Sequence, residues 1–208
     1  MSDSISPHRQ ERRGFHWDFP RMAMVLGFLA LDQFTKYLAR ARFSLPDGDP
    51  DYFKVFPLLG EWIQLRLVYN SGAAFGLKPQ SYLPFLHPTL FYVVFSLVAI
   101  GVLIAYYRKL GTSDGWQKSG VALILSGAFG NLIDRLTMDR VTDFIDVGIP
   151  GVLTRWPTFN IADSCVCVGV GLILAAPLLV RKSDHPEAAL VPQSPEAREG
   201  FQGPPNAL

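Results

Sequence analysis

Two long stretches of this chain contain no Asp, Glu, Lys or Arg: residues Ser81–Tyr107 and Ser164–Val180. A helix that crosses the hydrocarbon core of a bilayer needs about 20 mostly apolar residues. Within lipid the backbone must satisfy its own hydrogen bonds, so a span is a helix or part of a closed barrel. Two further apolar stretches run from about Met22 to Tyr37 and from about Ser119 to Leu136. The second span is placed near Leu86–Tyr107, with Pro88 suited to a first helical turn. The fourth is placed near Thr158–Val180, just after Pro157. The expected fold class is an all-α membrane protein with four transmembrane helices.

Composition narrows the function classes. Of 208 residues, 49% are apolar and 18% charged, which excludes a disordered chain. A net charge of +1 generates no field that would recruit polyanions, so no nucleic-acid partner is expected. Cys165 and Cys167 provide neither a disulfide framework nor a zinc spacing.

Three segments follow from the same pattern. Residues 1–21 form a polar N-terminal extension with Arg9, Arg12, Arg13 and Arg21. Residues 22–180 form the membrane domain. Residues 181–208, with Pro186, Pro192, Pro195, Pro204 and Pro205, lack apolar periodicity and are expected to form a disordered tail. A cleaved signal peptide is disfavoured, because Asp32 interrupts the first apolar stretch and no small-x-small site follows it. Arg12-Arg13-Gly14-Phe15 matches a twin-arginine signal only loosely.

Lys and Arg in the flanks orient the spans. Basic residues crowd the N-terminal flank, the second-to-third loop (Arg108, Lys109, Lys118) and the C-terminal flank (Arg181, Lys182). The other two loops are longer and poorer in them, so both termini are expected in the cytoplasm. Those outer loops contain strand patterns. Trp62, Gln64, Arg66 and Val68 alternate with Ile63, Leu65, Leu67 and Tyr69, a period of two. Val141–Val147 (VTDFIDV) is a second β-rich stretch. Together they suggest a small sheet resting on the outer membrane surface.

An ionisable group within a span is costly and is a functional candidate by default. Asp32 and Lys36 stand at i, i+4 in the first span, acid before base. They fit either a structural ion pair or a part of the active site. The third span carries Asn131, Asp134 and Arg135 on one face, beside Gly127 and Gly130, which allow close helix approach. A plain interfacial helix end is the alternative. The fourth span opens with Asn160 and Asp163 at i, i+3. Asp163 there could simply complement the helix dipole. Asp143, in the strand stretch returning to the same membrane face, supplies a second acid.

Two carboxylates in close contact share a proton. The ionised one can deprotonate water while the protonated one polarises a carbonyl and later donates to a leaving nitrogen. The four His (His8, His16, His87, His185) are scattered, with no HExxH. Ser71 and Ser164 lack a GxSxG setting. Cys165 and Cys167 point to nearly opposite helix faces and read as packing residues.

These residues carry a resemblance. Asp32-Gln33-Phe34-Thr35-Lys36, Tyr69-Asn70-Ser71-Gly72-Ala73-Ala74-Phe75-Gly76, Gly130-Asn131-Leu132-Ile133-Asp134-Arg135, Val141-Thr142-Asp143-Phe144 and Phe159-Asn160-Ile161-Ala162-Asp163-Ser164 occur in that order. The set resembles bacterial lipoprotein signal peptidase, also called signal peptidase II. The resemblance implies an aspartic protease of the bacterial inner membrane with its active site at the extracytoplasmic face. It would cleave diacylglyceryl-modified prolipoproteins before the lipidated cysteine, using an Asp143/Asp163 dyad to activate water. It implies that Asn70 and Arg135 contact substrate or inhibitor, and that Asn131 and Asn160 support the dyad. Asp32, Lys36 and Asp134 would be structural polar positions. It further implies sensitivity to globomycin-type inhibitors, a monomer, and no metal or cofactor. Asp139 departs from the family, whose members often have Gly there; Asp tolerates a left-handed turn.

Two other classes compete with this reading. A small ion-coupled transporter could use Asp32, Asp134 and Asp163 as a relay. Against it, the acids cluster toward one face and Asp143 lies outside the spans. A membrane scaffold would leave five polar motifs on separate elements without an account.

Overall fold

The computed structural model describes residues 18–43, 55–72, 88–152 and 155–179. The N-terminal extension before Asp18, the tail 181–208 and all four His therefore lie outside the described residues, as do residues 73–76 of the second motif. Among the described residues, four helices and three strands follow in the order α1 (Phe19–Phe43), β1 (Phe56–Leu59), β2 (Ile63–Asn70), α2 (Pro88–Tyr107), α3 (Gly115–Met138), β3 (Val141–Val147) and α4 (Ile161–Leu179).

Helix α3 is the central post and packs against each of the other three helices. Its buried set includes Gly120, Val121, Leu125, Gly127, Gly130, Leu132 and Asp134. Small residues make its contact with α4 close. A Cβ on Gly120 would come within 2.7 Å of the Gly169 carbonyl oxygen, and one on Gly169 within 2.6 Å of the Gly120 oxygen. Real Cβ atoms do not approach backbone that closely, so the two main chains cross where neither residue has a side chain. On the other flank, Ile100 and Tyr107 of α2 form a core with Val121, Leu125 and Leu132.

Among the described residues, three helices are long and apolar enough to cross a membrane: Thr89–Tyr107, Gly115–Met138 and Ile161–Leu178. Helix α1, expected as a fourth span, is not among them. Asp32, Gln33 and Lys36 lower its hydropathy. Its buried residues Val25, Asp32, Lys36 and Ala39 lie along one face, so the polar residues point inward.

The strands form one antiparallel sheet in the order β1-β2-β3. Strand β3 has the expected bounds. Strand β2 begins at Ile63 and extends to Asn70, where Asn70 pairs with Val141 and Val68 with Asp143. The expected alternation in β2 does not persist. Leu67 is buried but Tyr69 is exposed, with the Arg140 guanidinium 4.0 Å from its ring centre. The pairing shifts between Leu65 and Val68, and such a bulge reverses the faces beyond it. Strand β1 has no alternation signal in Phe-Pro-Leu-Leu. It is an edge strand, where Pro57 is tolerated. Ala39 of α1, Leu67 of β2 and Phe144 of β3 form a second core that ties the sheet to the helices.

Helix α4 starts three residues later than the expected Thr158. Phe159 pairs with Ile145 as an isolated bridge, its N–H donating to the Ile145 carbonyl at 3.0 Å. Residues 158–160 therefore belong to the sheet side, and Asn160 caps the helix rather than lying within it.

Candidate active site

The first turn of α4 is built as a reciprocal cap. The Asn160 side-chain oxygen accepts the Asp163 backbone N–H at 3.0 Å, and Asp163 Oδ2 accepts the Asn160 backbone N–H at 3.1 Å. This pairing satisfies two donors that a helix N-terminus otherwise leaves open. Asp163 thus does serve the helix end, as one reading of the sequence held. Its other oxygen is also occupied: Oδ1 accepts from Asn131 Nδ2 at 2.8 Å.

Asp143 reaches the same place from β3. It is 2% exposed. Its Oδ1 accepts from Asn160 Nδ2 at 2.7 Å, and its Oδ2 accepts from Asn70 Nδ2 at 3.1 Å. Asn70 is held in turn by an Asx turn, its side-chain oxygen accepting the Gly72 N–H at 2.9 Å. Burial, followed by the nearby Asp163 carboxylate, pushes the Asp143 carboxyl up to about 7 from its ordinary 3.8. The two amide hydrogen bonds oppose that rise. A carboxyl in this range is poised to hold a proton near neutrality.

Behind the two acids lies a buried ionic cluster. Lys36 is fully buried, with Nζ 2.9 Å from Asp32 Oδ2 and 3.3 Å from Asp134 Oδ2. Asp32 Oδ1 accepts the Ala162 N–H of α4 at 2.8 Å, and Asp134 Oδ2 accepts the Thr142 N–H of β3 at 2.9 Å. The cluster therefore clamps α1 and α3 onto the two chain segments that carry Asp163 and Asp143.

Of the nine residues singled out in the sequence, the structure brings eight into one connected polar network. Arg135 joins it only at the Asn131 main chain. Its guanidinium lies 5.2 Å from the Tyr92 ring centre on α2, and Nη1 donates to the Asn131 backbone oxygen at 3.3 Å. Among the described residues it makes no salt bridge to Asp143 or Asp163. Cys165 is buried, Cys167 is exposed, and both are free.

Sequence reasoning missed Asp146. It is 1% exposed, with Arg155 Nε at 2.9 Å and Arg66 Nε at 3.3 Å from Oδ2. Arg66 also donates to Thr158 Oγ1 at 3.1 Å. This cluster fixes the segment before Asn160 against the sheet. An acid within the apolar run Val141–Val147 must find partners once buried, and that requirement was a usable signal.

A family model for signal peptidase II matches residues 24–179, three quarters of the chain. The chain belongs to the signal peptidase II family. It is accordingly an aspartic endopeptidase of the membrane. A lipoprotein signal peptidase of Geobacter sulfurreducens is 38% identical over 73% of this chain and 86% of its own length. Its counterpart in Coxiella burnetii is 36% identical over 84% of this chain and 97% of its own length. A solved bacterial membrane enzyme, determined by the in meso method at 1.9 Å, superposes with a TM-score of 0.63 at 27% identity. That likeness covers 77% of this chain and 94% of the other. The signal peptidase II match spans every motif from Asp32 to Ser164, leaving no separate ground for a transporter or a scaffold.

Proposed function

We propose that Asp143 and Asp163 are the catalytic dyad with which this enzyme removes signal peptides from lipid-modified prolipoproteins, cutting before the lipidated cysteine. The carrying observation is that two acids on different elements share Asn160 as a common hydrogen-bond partner. Asp143, raised to about 7, holds the single proton of the pair. Asp163 takes a proton from a water placed between them. The water oxygen bonds to the scissile carbonyl carbon, and the Asp143 proton passes to the carbonyl oxygen. The resulting gem-diol then collapses. Asp163 delivers its proton to the leaving nitrogen as the C–N bond breaks, and a diol hydroxyl returns a proton to Asp143. Asn70 and Arg135 hold substrate backbone, and Asn131 and Asn160 support the dyad.

The chain crosses the bacterial inner membrane four times with both termini in the cytoplasm. Helix α1 serves as the fourth span because its outward residues Leu26, Leu31, Phe34 and Leu38 are exposed and apolar, while Asp32 and Lys36 are buried. Arg108, Lys109 and Lys118 sit at the opposite end of α3 from Asp134, and this distribution of basic residues supports an extracytoplasmic position for the acids. The diacylglyceryl chains stay in hydrocarbon while the scissile bond reaches the dyad. Globomycin-type inhibitors occupy the same site, and a monomer suffices.

The test is cleavage of a diacylglyceryl-modified prolipoprotein peptide by purified protein. Asp143→Asn and Asp163→Asn should each lower kcat by about 100-fold or more while still inserting. The unlipidated peptide should not be cut. Normal turnover by either variant rejects the dyad.

A further inference from the structure

The dyad is not the end of the polar chain. Lys36 has three N–H donors and no acceptor, as any ammonium does. Two donors meet carboxylates, Asp32 Oδ2 at 2.9 Å and Asp134 Oδ2 at 3.3 Å. An ion cluster that only held helices together would need no more. The third donor meets Asn131 Oδ1 at 3.0 Å.

That contact decides which way the Asn131 amide faces. Its oxygen must point toward the cation, so its NH2 must point the other way. There it donates to Asp163 Oδ1 at 2.8 Å. Turned over, the amide would set its NH2 against an ammonium and its oxygen against a carboxylate, two repulsions at once. Asn160 Nδ2, 3.2 Å from Asn131 Oδ1, favours the same orientation. A cation on the amide oxygen also strengthens the N–H on its far side.

On the dyad reading above, we infer that Lys36 is a positioning residue, acting through Asn131 to fix the Asp163 carboxylate in its working orientation. Because the cluster balances Lys36 and Arg40 against Asp32 and Asp134, with Arg40 4.0 Å from Asp134, removing Lys36 alone leaves an excess of buried negative charge. The informative variant is Asp32→Asn/Lys36→Met, which removes one charge of each sign.

The experiment measures kcat and KM of this variant on a diacylglyceryl-modified prolipoprotein peptide, after a thermal melt in detergent shows a folded transition. Expected is a kcat lower by about 10- to 100-fold with KM within about twofold, since orientation is lost but substrate contacts are not. In an Asn131→Leu background the same pair of substitutions should have little further effect on kcat, because the intermediary is already gone. Asp32→Asn/Lys36→Gln, which restores an uncharged donor opposite Asn131, should recover part of the lost kcat. Wild-type kcat in the Met variant, full additivity with Asn131→Leu, or failure of both double variants to fold would overturn the positioning role. Asp143→Asn and Asp163→Asn run alongside: if they stay active, the dyad fails, whereas if they are dead and the Met variant is normal, only the role of Lys36 fails.

Discussion

Asn160 joins Asp143 to Asp163: its side-chain NH2 donates to Asp143 Oδ1 at 2.7 Å, and its main-chain N–H donates to Asp163 Oδ2 at 3.1 Å. One residue thereby caps α4 and sets the relative placement of two acids that reach it from a strand and a helix. Replacing Asn160 by Ala removes the cap and leaves Asp143 with one amide partner. Loss of a capping side chain costs about 0.5–2 kcal/mol. A lower melting temperature in detergent is therefore expected, together with a kcat reduced by about 100-fold. A variant that melts lower but turns over normally would show that Asn160 serves the helix alone.

The Asp143 carboxyl has a pH signature. Its folded value, about 7, lies above its ordinary 3.8, so the folded state binds the extra proton between those limits. The stability it contributes is fully present below the lower value and is lost as pH rises through about 7. Each unit corresponds to about 1.4 kcal/mol. Wild-type protein should melt at a lower temperature at pH 8 than at pH 5. Asp143→Asn should show a clearly shallower change across the same interval, because its side chain does not titrate. Equal slopes would mean that Asp143 is already ionised at pH 5. On the proposed dyad, activity should likewise decline above about pH 7, where Asp143 loses its proton.

The α3–α4 crossing is set by backbone contact at Gly120 and Gly169. Gly120→Ala places a Cβ within 2.7 Å of the Gly169 oxygen and of Ile173, so the helices must separate. A loss of stability of about 1–3 kcal/mol, as for other overpacking substitutions, is expected in a detergent melt. Gly101→Ala, where a Cβ meets nothing within 4 Å, is the control and should leave the melt unchanged or slightly higher.

Asp139 ends α3 in the left-handed conformation, φ 59° and ψ 8°, with its N–H donating to the Arg135 oxygen. The sequence reading allowed Asp there, and the structure places it in that region. Glycine adopts the region without Cβ strain, so Asp139→Gly should stabilise the protein by about 0.5–1 kcal/mol. Its carbonyl contact from Thr89 Oγ1 involves main chain and survives the change. A drop in melting temperature would point to a role for the Asp139 carboxylate that the structure does not show.

Helix α1 shows where local reading is weakest. Its charged residues suggested either an ion pair or a site, and the structure contains the ion pair together with a link from Lys36 through Asn131 to Asp163. The strand expected across Trp62–Tyr69 exists, but its alternation fails at Tyr69, because the bulge between Leu65 and Val68 has no period of its own. Asp146 went unnoticed because its two arginines, Arg66 and Arg155, come from separate segments.

What the amino-acid order determined by itself is local. The long uncharged runs specify helices of membrane length, because unsatisfied backbone is intolerable in hydrocarbon, and VTDFIDV specifies a strand with two acids in it. The polar motifs marked the candidate residues because ionisable groups in such surroundings must have partners. Only the tertiary structure decided who those partners are. Asp143 and Asp163 converge on Asn160 because Phe159 pairs with Ile145 and turns the chain so that Asn160 caps α4 between them. Lys36 reaches Asn131 across 95 residues because α1 packs on α3. Such contacts depend on where several elements close together in space, and no run of neighbouring residues contains that information.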